Sequence, residues 1–399
     1  MNDADRILIA GAGPVGLSAA CCLAEQGVPV LVLEAEPQLP ETLRASTFHP
    51  PTLDMLERFG VLRGLLDAGG LKAPTFQYRD RNGWYVEFDF GMLADVTRHP
   101  FRVQCEQYKL NHVLYDWLDG RPQAEVRFGA KVTGVEQDDD HVRVIVSGNG
   151  RSEKLTGRYL IGADGGRSNV REALGIRLEG FTWPERFVTV STPFAFEDHF
   201  EQLSQVSYFT DPEEWFFLLR VPGFWRAMFP TSPDESDEQV LSDATLQRRL
   251  QRVVPRREPY EIVHRVLYSV HQRVAQTYRS GRVVLAGDAA HLNNPLGGMG
   301  MNGGIHDACN LAQKLACIWR GEADDDELDR YQRQRRAIAL DYVNERSIRN
   351  KKNLETRDPD ERARFRREME AAAADPALTR DLLLKVSMIA SLRQAAQTA

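Results

Sequence analysis

Short apolar runs and glycine-rich turns alternate at the start of the chain. The run "RILIA" predicts a buried strand, "PVGLSAACCLAEQG" a helix that ends at Gly27, and "VPVLVLE" a second strand that ends at Glu34. Strand, helix and strand in this order form one βαβ unit. The pattern therefore predicts a parallel sheet that is covered by helices.

The turn "GAGPVG" inside this unit has the spacing GxGxxG. Gly11 allows a tight turn, Gly13 lets the backbone approach a pyrophosphate, and Gly16 lets the helix pack against the strand. The helix N-terminus adds N–H groups and the positive end of a dipole, and Glu34 follows where an acid can bind ribose hydroxyls. A purely structural glycine turn is the alternative. The flanking strands and the acid favour a dinucleotide site, for either FAD or NAD.

Alternating apolar and polar positions predict antiparallel strands in the middle of the chain. The segment "TFQYRDRNGWYVEFDF" predicts a hairpin around Asn82-Gly83, and "KVTGVEQDDDHVRVIVSGNGRSEKL" predicts short strands joined by turns. Residues 181–230 are strand-like and rich in aromatic side chains, which suit a sheet core or a pocket wall. We expect this block and the hairpin at 75–90 to form a separate sheet domain.

Apolar residues at helical spacing predict a helix pair over residues 53–65 and a further helix in "CEQYKLNHVLYDWL". The end of the chain is helical and heavily charged, and Asp358-Pro359 and Asp375-Pro376 each predict an N-cap followed by proline at the first helical position. An apolar segment there, "LLLKVSMIASL", is expected to pack on the body of the protein or on a second subunit.

Two further apolar strands run into an aspartate beside glycine. "YLIGADGG" leads to Asp164, and residues 283–286 lead to Gly287-Asp288, before a proline-glycine loop and a helix that we expect to begin near Asn302. Such a loop lets a flat ligand lie against the backbone, and the helix N-terminus stabilises negative charge. Asp288 either accepts hydrogen bonds from ligand hydroxyls or caps a turn. We interpret His291 as a packed loop histidine.

Composition narrows the class of protein. The formal charge of −7 gives no basic surface for nucleic acid. Five cysteines without a CxxC spacing argue against a disulfide framework or a structural metal site, and predict reduced thiols in a cytoplasmic protein. The uncharged stretch 7–24 could pass for a membrane span, but the glycine spacing explains it better, so we expect no integral membrane segment.

The three glycine-rich segments, in this order and spacing, resemble those of the group A single-component FAD-dependent aromatic hydroxylases, the para-hydroxybenzoate hydroxylase-like flavoprotein monooxygenases. The resemblance implies an α/β fold: a Rossmann-like FAD-binding domain with an inserted, mainly antiparallel β-sheet substrate domain and C-terminal helices. On this basis we assign residues 1–72, 98–175 and 276–325 to the FAD-binding domain, 73–97 and 176–275 to the substrate sheet, and 326–399 to the helical segment.

The resemblance also implies which residues bind FAD. The ADP half would be bound by the first glycine turn with Glu34, the isoalloxazine by the third, and Pro295 would lie at the flavin face by the reaction site. Asp164, held by Arg167, would assist both FAD and the nicotinamide donor. The full cofactor set is Gly11, Gly13, Val15, Gly16, Glu34, Ala35, Arg44, Gln107, Val132, Asp164, Asp288, Gly298, Gly300, Met301 and Asn302.

The activity implied is a monooxygenase that uses NAD(P)H and O2 to hydroxylate a phenol-like or heteroaromatic ring through a flavin C4a-hydroperoxide. The acidic segment after Glu34 favours NADH over NADPH. The catalytic base stays open among candidates in the presumed substrate sheet: Tyr78, His199, Tyr208, Arg220 and Arg226.

Several alternatives stand beside this activity. The chain could be a lipid-quinone hydroxylase, a polyketide-tailoring oxygenase, or a dehydrogenase or oxidase on the same fold. From a different class, it could be a flavin-binding redox protein without turnover. We expect a monomer or homodimer.

Overall fold

The computed structural model describes residues 4–80, 83–148, 150–211 and 213–398, without the side chain of Trp84. The strands are β1 (Ile7–Ala10), β2 (Val30–Leu33), β3 (Thr47–Phe48), β4 (Leu71–Ala73), β5 (Thr75–Asp80), β6 (Gly83–Asp89), β7 (Arg102–Gln104), β8 (Ala124–Arg127), β9 (Lys131–Gln137), β10 (Val142–Gly148), β11 (Arg151–Gly157), β12 (Tyr159–Gly162), β13 (Leu178–Thr192), β14 (Val206–Phe209), β15 (Phe216–Val221), β16 (Phe224–Pro230), β17 (His264–Ala275), β18 (Arg279–Ser280), β19 (Val283–Leu285) and β20 (His291–Leu292). The helices are α1 (Pro14–Glu25), α2 (Pro50–Arg58), α3 (Leu62–Asp67), α4 (Gln107–Leu118), α5 (Asn169–Ala173), α6 (Asp237–Leu241), α7 (Asp243–Val253), α8 (Met299–Trp319), α9 (Asp326–Ala337), α10 (Glu345–Glu355), α11 (Pro359–Ala374), α12 (Pro376–Val386) and α13 (Ile389–Gln397). A π-helical stretch (Ile338–Asn344) joins α9 to α10.

A six-stranded sheet, in the order β18-β19-β12-β1-β2-β8, forms the base of the fold, and all its neighbouring strands except β18 and β19 are parallel. The strands β1, β2, β12 and β19 are buried on both faces, as near-continuous apolar runs require. Their registers align Ala10 with Leu33 and Gly162, and Gly162 with Leu285. The turns that follow these strands therefore leave the sheet at the same edge and level.

An eight-stranded sheet, in the order β20-β17-β13-β16-β15-β14-β5-β6, is antiparallel except for the pair β14 and β5. Side chains alternate between its two faces, as the strand period of two requires. Val188, Val190 and Phe229 pack in one cluster with Leu246 and Leu250 of α7. Their strand neighbours Phe187 and Met228 turn to the opposite face, where they pack with Leu296 and with Leu354 of α10.

The predicted hairpin is formed by β5 and β6, although Asn82 of its turn lies outside the described residues. The predicted strands over 131–157 form a separate three-stranded sheet, β11-β10-β9. The helix pair is α2 and α3, and the further helix is α4. The α/β fold with an inserted antiparallel sheet and C-terminal helices is therefore confirmed. The division into domains at the stated boundaries stays a prediction, and β20 belongs to the larger sheet although it lies within segment 276–325.

The C-terminal helices begin where the sequence indicates. Asp358 accepts hydrogen bonds from the N–H groups of residues 360 and 361, and Asp375 from those of residues 377 and 378, each with proline at the first helical position. Leu383 and Met388, from the apolar segment "LLLKVSMIASL", are fully buried against the body of the same chain. The segment is thus a part of the core.

Candidate active site

The first glycine turn has little room for any side chain except at one position. Gly11 has a φ of +99°, and a Cβ on it would lie 2.6 Å from the carbonyl oxygen of Ala163. A Cβ on Gly16 would lie 1.9 Å from the carbonyl oxygen of Gly11. By contrast, a Cβ built on Gly13 has no atom of the described residues within 4 Å beyond its chain neighbours, and Gly13 precedes α1 and leaves the helix N-terminus without a side-chain cap. The open space at Gly13 and the uncapped N–H groups suit an anionic group such as a pyrophosphate.

Glu34 lies at the end of β2, beside this turn. Its carboxylate accepts hydrogen bonds from the N–H groups of Ala12 (2.7 Å) and Glu36 (3.0 Å), so it braces the turn. Each carboxylate oxygen keeps a lone pair for a ribose hydroxyl. Ala35 is exposed next to it, and Val132, on β9, has its side chain in the core.

The three predicted turns come together in space. Gly11 lies against Ala163 in the second turn, as its close approach shows. Val15 lies against the third: a Cβ on Gly287 would be 2.7 Å from its side chain, and one on Gly304 of α8 would be 2.6 Å from it. Glycine at these positions therefore lets three backbone segments meet at the edge of the six-stranded sheet.

The side chain of Asp164 is held by hydrogen bonds from residues that directly follow it in the second turn. It accepts hydrogen bonds from the Ser168 hydroxyl (2.5 Å) and from the N–H of Val170 (3.1 Å). Burial raises the pKa of Asp164, and these two hydrogen bonds partly offset the rise. The expected bond from Arg167 is wrong, because that side chain is exposed. Arg171 instead ties the second turn to the third, through the carbonyls of residues 166 and 289.

Asp288 is accessible to solvent, yet protein surrounds it, as at the floor of a cleft. Burial raises its pKa, and His291 and Arg44 partly offset the rise. The exposed Arg44 side chain thus acts on Asp288 across the cleft. Gln107, at the start of α4, donates its backbone N–H to the carbonyl of Ala45 in the same loop, so it borders the cleft next to Arg44.

The third turn ends in a loop that leads into α8. The helix begins at Met299, three residues before the expected start, and Gly298 precedes it in the left-handed region with a φ of +67°. Pro295 is partly exposed in this loop, and Gly300 is partly exposed in the first turn of the helix. Met301 is 9% exposed in the core.

Asn302 is fully buried and holds this loop against β3. Its side chain accepts from the N–H of His49 (2.9 Å) and donates to the carbonyls of Thr47 (2.8 Å) and Gly298 (2.7 Å). Contact between Asn302 and the isoalloxazine stays a prediction.

A buried ion pair behind the third turn was missed by sequence reasoning. Asp307 of α8 accepts hydrogen bonds from the Gly287 N–H (3.1 Å), from His291 (2.8 Å) and from Arg335 (2.5 Å). Burial alone would raise the pKa of Asp307, but Arg335 and His291 outweigh it and lower this pKa to about 2. His291 is thus a packed histidine with a structural partner. Asp307 and Arg335 lie 28 residues apart in the sequence, on α8 and α9, so no local sequence pattern indicates that they form a pair.

A cluster of mainly aromatic side chains from the larger sheet, which we call the aromatic chamber, lies against the loop that leads into α8. We define it by Phe187, Trp215, Met228, Leu296 and Leu354, with Tyr78, Trp183, Tyr208 and Phe217 packed against them. The Tyr78 and Tyr208 rings stack with centroids 5.4 Å apart. Both tyrosines keep some accessible surface although protein surrounds them. Leu296 joins the chamber directly to the loop that carries Pro295.

The C-terminal helices close the chamber, which sequence reasoning also missed. Leu354 of α10 packs in it, and Lys351 lies 4.1 Å from the centre of the Trp183 ring. Gln272 ties this wall to the loop: its amide accepts from Asn294 and donates to Ser347 (2.8 Å). The loop and the helical wall are therefore fixed to one another.

The five candidates for the catalytic base lie in different places, two in the chamber and three outside it. Tyr78 and Tyr208 lie in the chamber. His199 is exposed and stacks on Phe194, while Arg220 pairs with Glu197 at 3.6 Å. Arg226 donates to the carbonyl of Arg44 (2.6 Å) and to the Ser46 hydroxyl (2.5 Å). It therefore clamps the Arg44 loop onto the larger sheet, and cannot act as a base while it does so.

These features fit FAD: an open glycine position at an uncapped helix N-terminus, an acid at the end of β2, and a second uncapped helix N-terminus at α8, directly after the loop that reaches the aromatic chamber through Leu296. The arrangement is that of a flavoprotein oxygenase. The chain matches the FAD binding domain family over residues 5–346 and belongs to it. No helix in the described residues could cross a membrane, and no group of potential ligands there could hold a metal.

Relatives with named activities agree with this class. The chain is 34% identical to para-nitrophenol 4-monooxygenase from Pseudomonas sp. (strain WBC-3), over 98% of this chain and 97% of that one. It is 34% identical to 6-hydroxy-3-succinoylpyridine 3-monooxygenase HspB from Pseudomonas putida (strain DSM 28022 / S16), over 90% and 92%. The crystal structure of p-nitrophenol 4-monooxygenase PnpA from Pseudomonas putida DLL-E4 superimposes with a TM-score of 0.91 at 32% identity, over 98% of each chain. The protein is an FAD-dependent aromatic hydroxylase.

Proposed function

We propose that this hydroxylase uses NAD(P)H and O2 to oxygenate a one-ring phenol or hydroxypyridine at a substituted carbon para to the hydroxyl. One observation carries the proposal: an aromatic chamber with two stacked tyrosines packs against Leu296, in the loop between Pro295 and Gly298. A flat ring held between such side chains lies next to the loop that is assigned to the flavin face.

The position of oxygenation is supported by the names of two relatives. Para-nitrophenol 4-monooxygenase and 6-hydroxy-3-succinoylpyridine 3-monooxygenase are each named for action at a ring carbon that bears a substituent and is para to the hydroxyl. Oxygen transfer to such a carbon gives a balanced reaction with one NAD(P)H and no further reductant. Para-nitrophenol, O2, NAD(P)H and a proton yield benzoquinone, nitrous acid, water and NAD(P)+. The substituent leaves as nitrite with the electron pair of its bond, and both ring oxygens become carbonyls.

The chain's own residues orient and enclose the reactants. FAD, when bound, supplies oxygen activation and accepts hydride from the donor. The glycine turns and Asp288 would hold it, and Asn302 and Gln272 fix the loop against which the ring lies. Leu354 and Phe217 exclude water from the chamber, which protects a reactive oxygen species from solvent.

We infer that NADH is the preferred donor. Glu36 and Glu41 are exposed near the end of β2, and Arg44 is the first basic residue after them. Negative charge there repels the additional phosphate of NADPH. Comparison of kcat/KM for the two donors tests this inference, and a preference for NADPH would contradict it.

The main test is aerobic turnover with matched nitrophenols. With para-nitrophenol we expect one nitrite per NADH consumed and little peroxide. With meta-nitrophenol, whose para carbon bears only hydrogen, we expect no nitrite. Consumption of NADH with peroxide as the product, for every phenol and hydroxypyridine tried, would overturn the proposal. Hydroxylation without loss of the substituent would support the hydroxylase activity but contradict the proposed position of oxygenation.

A further inference from the structure

Two cysteine side chains from different helices are in contact. The Cys22 thiol, on α1, donates to the Sγ of Cys309, on α8, and the two sulfur atoms lie 3.3 Å apart. Both are free thiols in this structure. A disulfide bond needs about 2.05 Å between its sulfur atoms, so these two atoms have to approach by only roughly 1.2 Å. The contact therefore places a pair of thiols where a bond between α1 and α8 can form.

Small residues let the two helices approach closely. A Cβ on Gly304 of α8 would lie 2.6 Å from the side chain of Val15 on α1, so the helices meet there with no room for a further side chain. Ala19 of α1 and Ala308 of α8 are fully buried in the same core cluster. The distance between packed helices depends on the side chains at their contact, and a disulfide bond spans only a short distance between backbones. Packing of this kind suits a bond between the helices.

Both helices begin at the turns that are assigned to the cofactor. The helix α1 follows Gly13 in the first glycine turn, and α8 follows Gly298 in the third. Cys22 and Cys309 lie further along the same two helices. A covalent bond between them would therefore fix the two halves of the cofactor site relative to one another.

The two thiols lie in different environments. Cys309 is partly exposed, whereas Cys22 is 6% exposed, so an oxidant in the solvent reaches Cys309 more readily. The hydrogen bond to Cys309, and then burial, raise the pKa of Cys22 well above its ordinary value, and Arg58 opposes the rise. Cys22 therefore keeps its proton in the resting protein. Cys309 is the thiol that meets an oxidant first, and Cys22 is the thiol that completes the bond.

We propose that Cys22 and Cys309 form a modification site for hydrogen peroxide, at which oxidation produces a disulfide bond that fixes α1 to α8. Peroxide first converts the Cys309 thiol to a sulfenic acid, and one water is released. The Cys22 sulfur then displaces the sulfenic hydroxyl group, which leaves with the Cys22 proton as a second water. The two thiols together lose two electrons, and one peroxide becomes two waters. The inference goes beyond the proposed function and does not depend on which ring the enzyme oxygenates.

Two other cysteines on the same helices have different partners. Cys21, next to Cys22 on α1, is fully buried and donates its thiol to the carbonyl of Leu114 (3.7 Å). Cys317, further along α8, is partly exposed, and its sulfur accepts a hydrogen bond from Arg320 (3.6 Å). Cys21 and Cys317 therefore provide matched controls, one for each helix.

The test uses the FAD-loaded, fully reduced protein, which is treated with hydrogen peroxide. The peroxide is removed, the remaining thiols are alkylated during denaturation, and the protein is digested without reductant for mass spectrometry. We expect a peptide pair that joins Cys22 to Cys309 within one chain, and we expect dithiothreitol to separate it. The absence of this link, or a link between two chains in its place, would overturn the proposal.

The link should also stabilise the loaded protein. The two cysteines are 287 positions apart in the sequence, and closure of so long a loop lowers the conformational entropy of the unfolded chain. We expect the temperature at which FAD is released, seen as a rise in flavin fluorescence, to increase by at least about 3 °C after peroxide treatment and to return after dithiothreitol. An unchanged temperature in protein that carries the link would contradict the proposed fixing of α1 to α8.

Variants assign the effect to the pair. We expect Cys22→Ser and Cys309→Ser to lose both the link and the rise in temperature, whereas Cys21→Ser and Cys317→Ser should retain both. Cys21→Ser also leaves Cys22 as the only cysteine in its part of α1, so loss of the link in this variant would show that Cys21 is the partner and contradict the assignment. Should Cys22→Ser fail to fold, Cys309→Ser makes the same test at a partly exposed position. A rise in temperature in Cys309→Ser equal to that in the parent protein would overturn the proposal.

Discussion

The two large sheets build their parts of the site in different ways. At the edge of the six-stranded sheet, the site is made of backbone: glycines that permit close approach, N–H groups at helix ends, and aspartates that follow strands. At the eight-stranded sheet it is made of side chains that happen to share a face, such as Phe217 and Met228. Backbone geometry demands particular residues at fixed spacing, whereas a chamber wall demands only volume and apolarity. The first kind of site is therefore visible as a motif, and the second is not.

The largest effect is expected at Gly16, because the backbone site there has no room for a side chain. A side chain there would meet the Gly11 carbonyl at 1.9 Å. We expect Gly16→Val to abolish FAD binding, so that the purified protein is colourless and cannot be reconstituted. A yellow variant with a full flavin content would show that the turn can widen. It would contradict the distinction between a backbone site that requires particular residues and a chamber wall that requires only volume and apolarity.

The next effect is on stability, at the ion pair behind the third turn. Asp307→Ala leaves Arg335 buried without its partner, and we expect a loss of about 3–5 kcal/mol in the free energy of unfolding. Denaturant unfolding measures it. Lys385→Ala, which removes the exposed ion pair with Asp381, is the control, and should cost less than about 1 kcal/mol.

Asp307 also gives the stability a pH dependence. Its pKa is about 2 in the folded protein, below the ordinary value of 3.8. Its contribution is therefore complete above the ordinary pKa, and is lost as the pH falls from about 4 towards 2. We expect the difference in stability between the parent protein and Asp307→Asn to shrink over this range. A constant difference would show that the carboxylate charge does not matter.

A smaller effect is expected at Gly13, where the protein itself leaves room. Gly13 has a φ of −75° and no protein atom lies near an added Cβ, so alanine is compatible with the fold. We expect Gly13→Ala to weaken FAD binding by about tenfold, or about 1.4 kcal/mol, while the stability of the apoprotein stays the same. Flavin titration and apoprotein unfolding separate these quantities. Equal FAD affinity in both proteins would place the pyrophosphate elsewhere.

The smallest effect tests the wall of the chamber. Asp375 caps α12, and Asp375→Ala should cost about 1 kcal/mol of stability. Because the C-terminal helices pack on the larger sheet, we expect the KM for the aromatic substrate to rise while the FAD affinity is unchanged. A change in FAD affinity equal to the change in KM would show that the two sheets do not function separately.

The fold, the FAD cofactor and the meeting of the three glycine turns could be predicted from the sequence, since β1, β2, β12 and β19 each end in a motif with a physical cause. The sequence did not decide which aromatic residues line the chamber. Phe216 and Phe217 are neighbours in a strand, yet the first packs toward α7 and the second into the chamber. Periodicity separates them into two faces but does not say which face meets the flavin. Asp307 and Arg335 are brought together only by tertiary packing.

The position of Leu354 has an evolutionary consequence. The family match ends at residue 346, but α10 carries Leu354 into the chamber beyond that limit. The portion of the chain that the family match covers is thus shorter than the portion that lines the aromatic chamber. Exchange of the tail between family members would change one wall of the chamber while the three glycine turns stay the same, so recombination downstream of residue 346 offers a route to new substrate ranges.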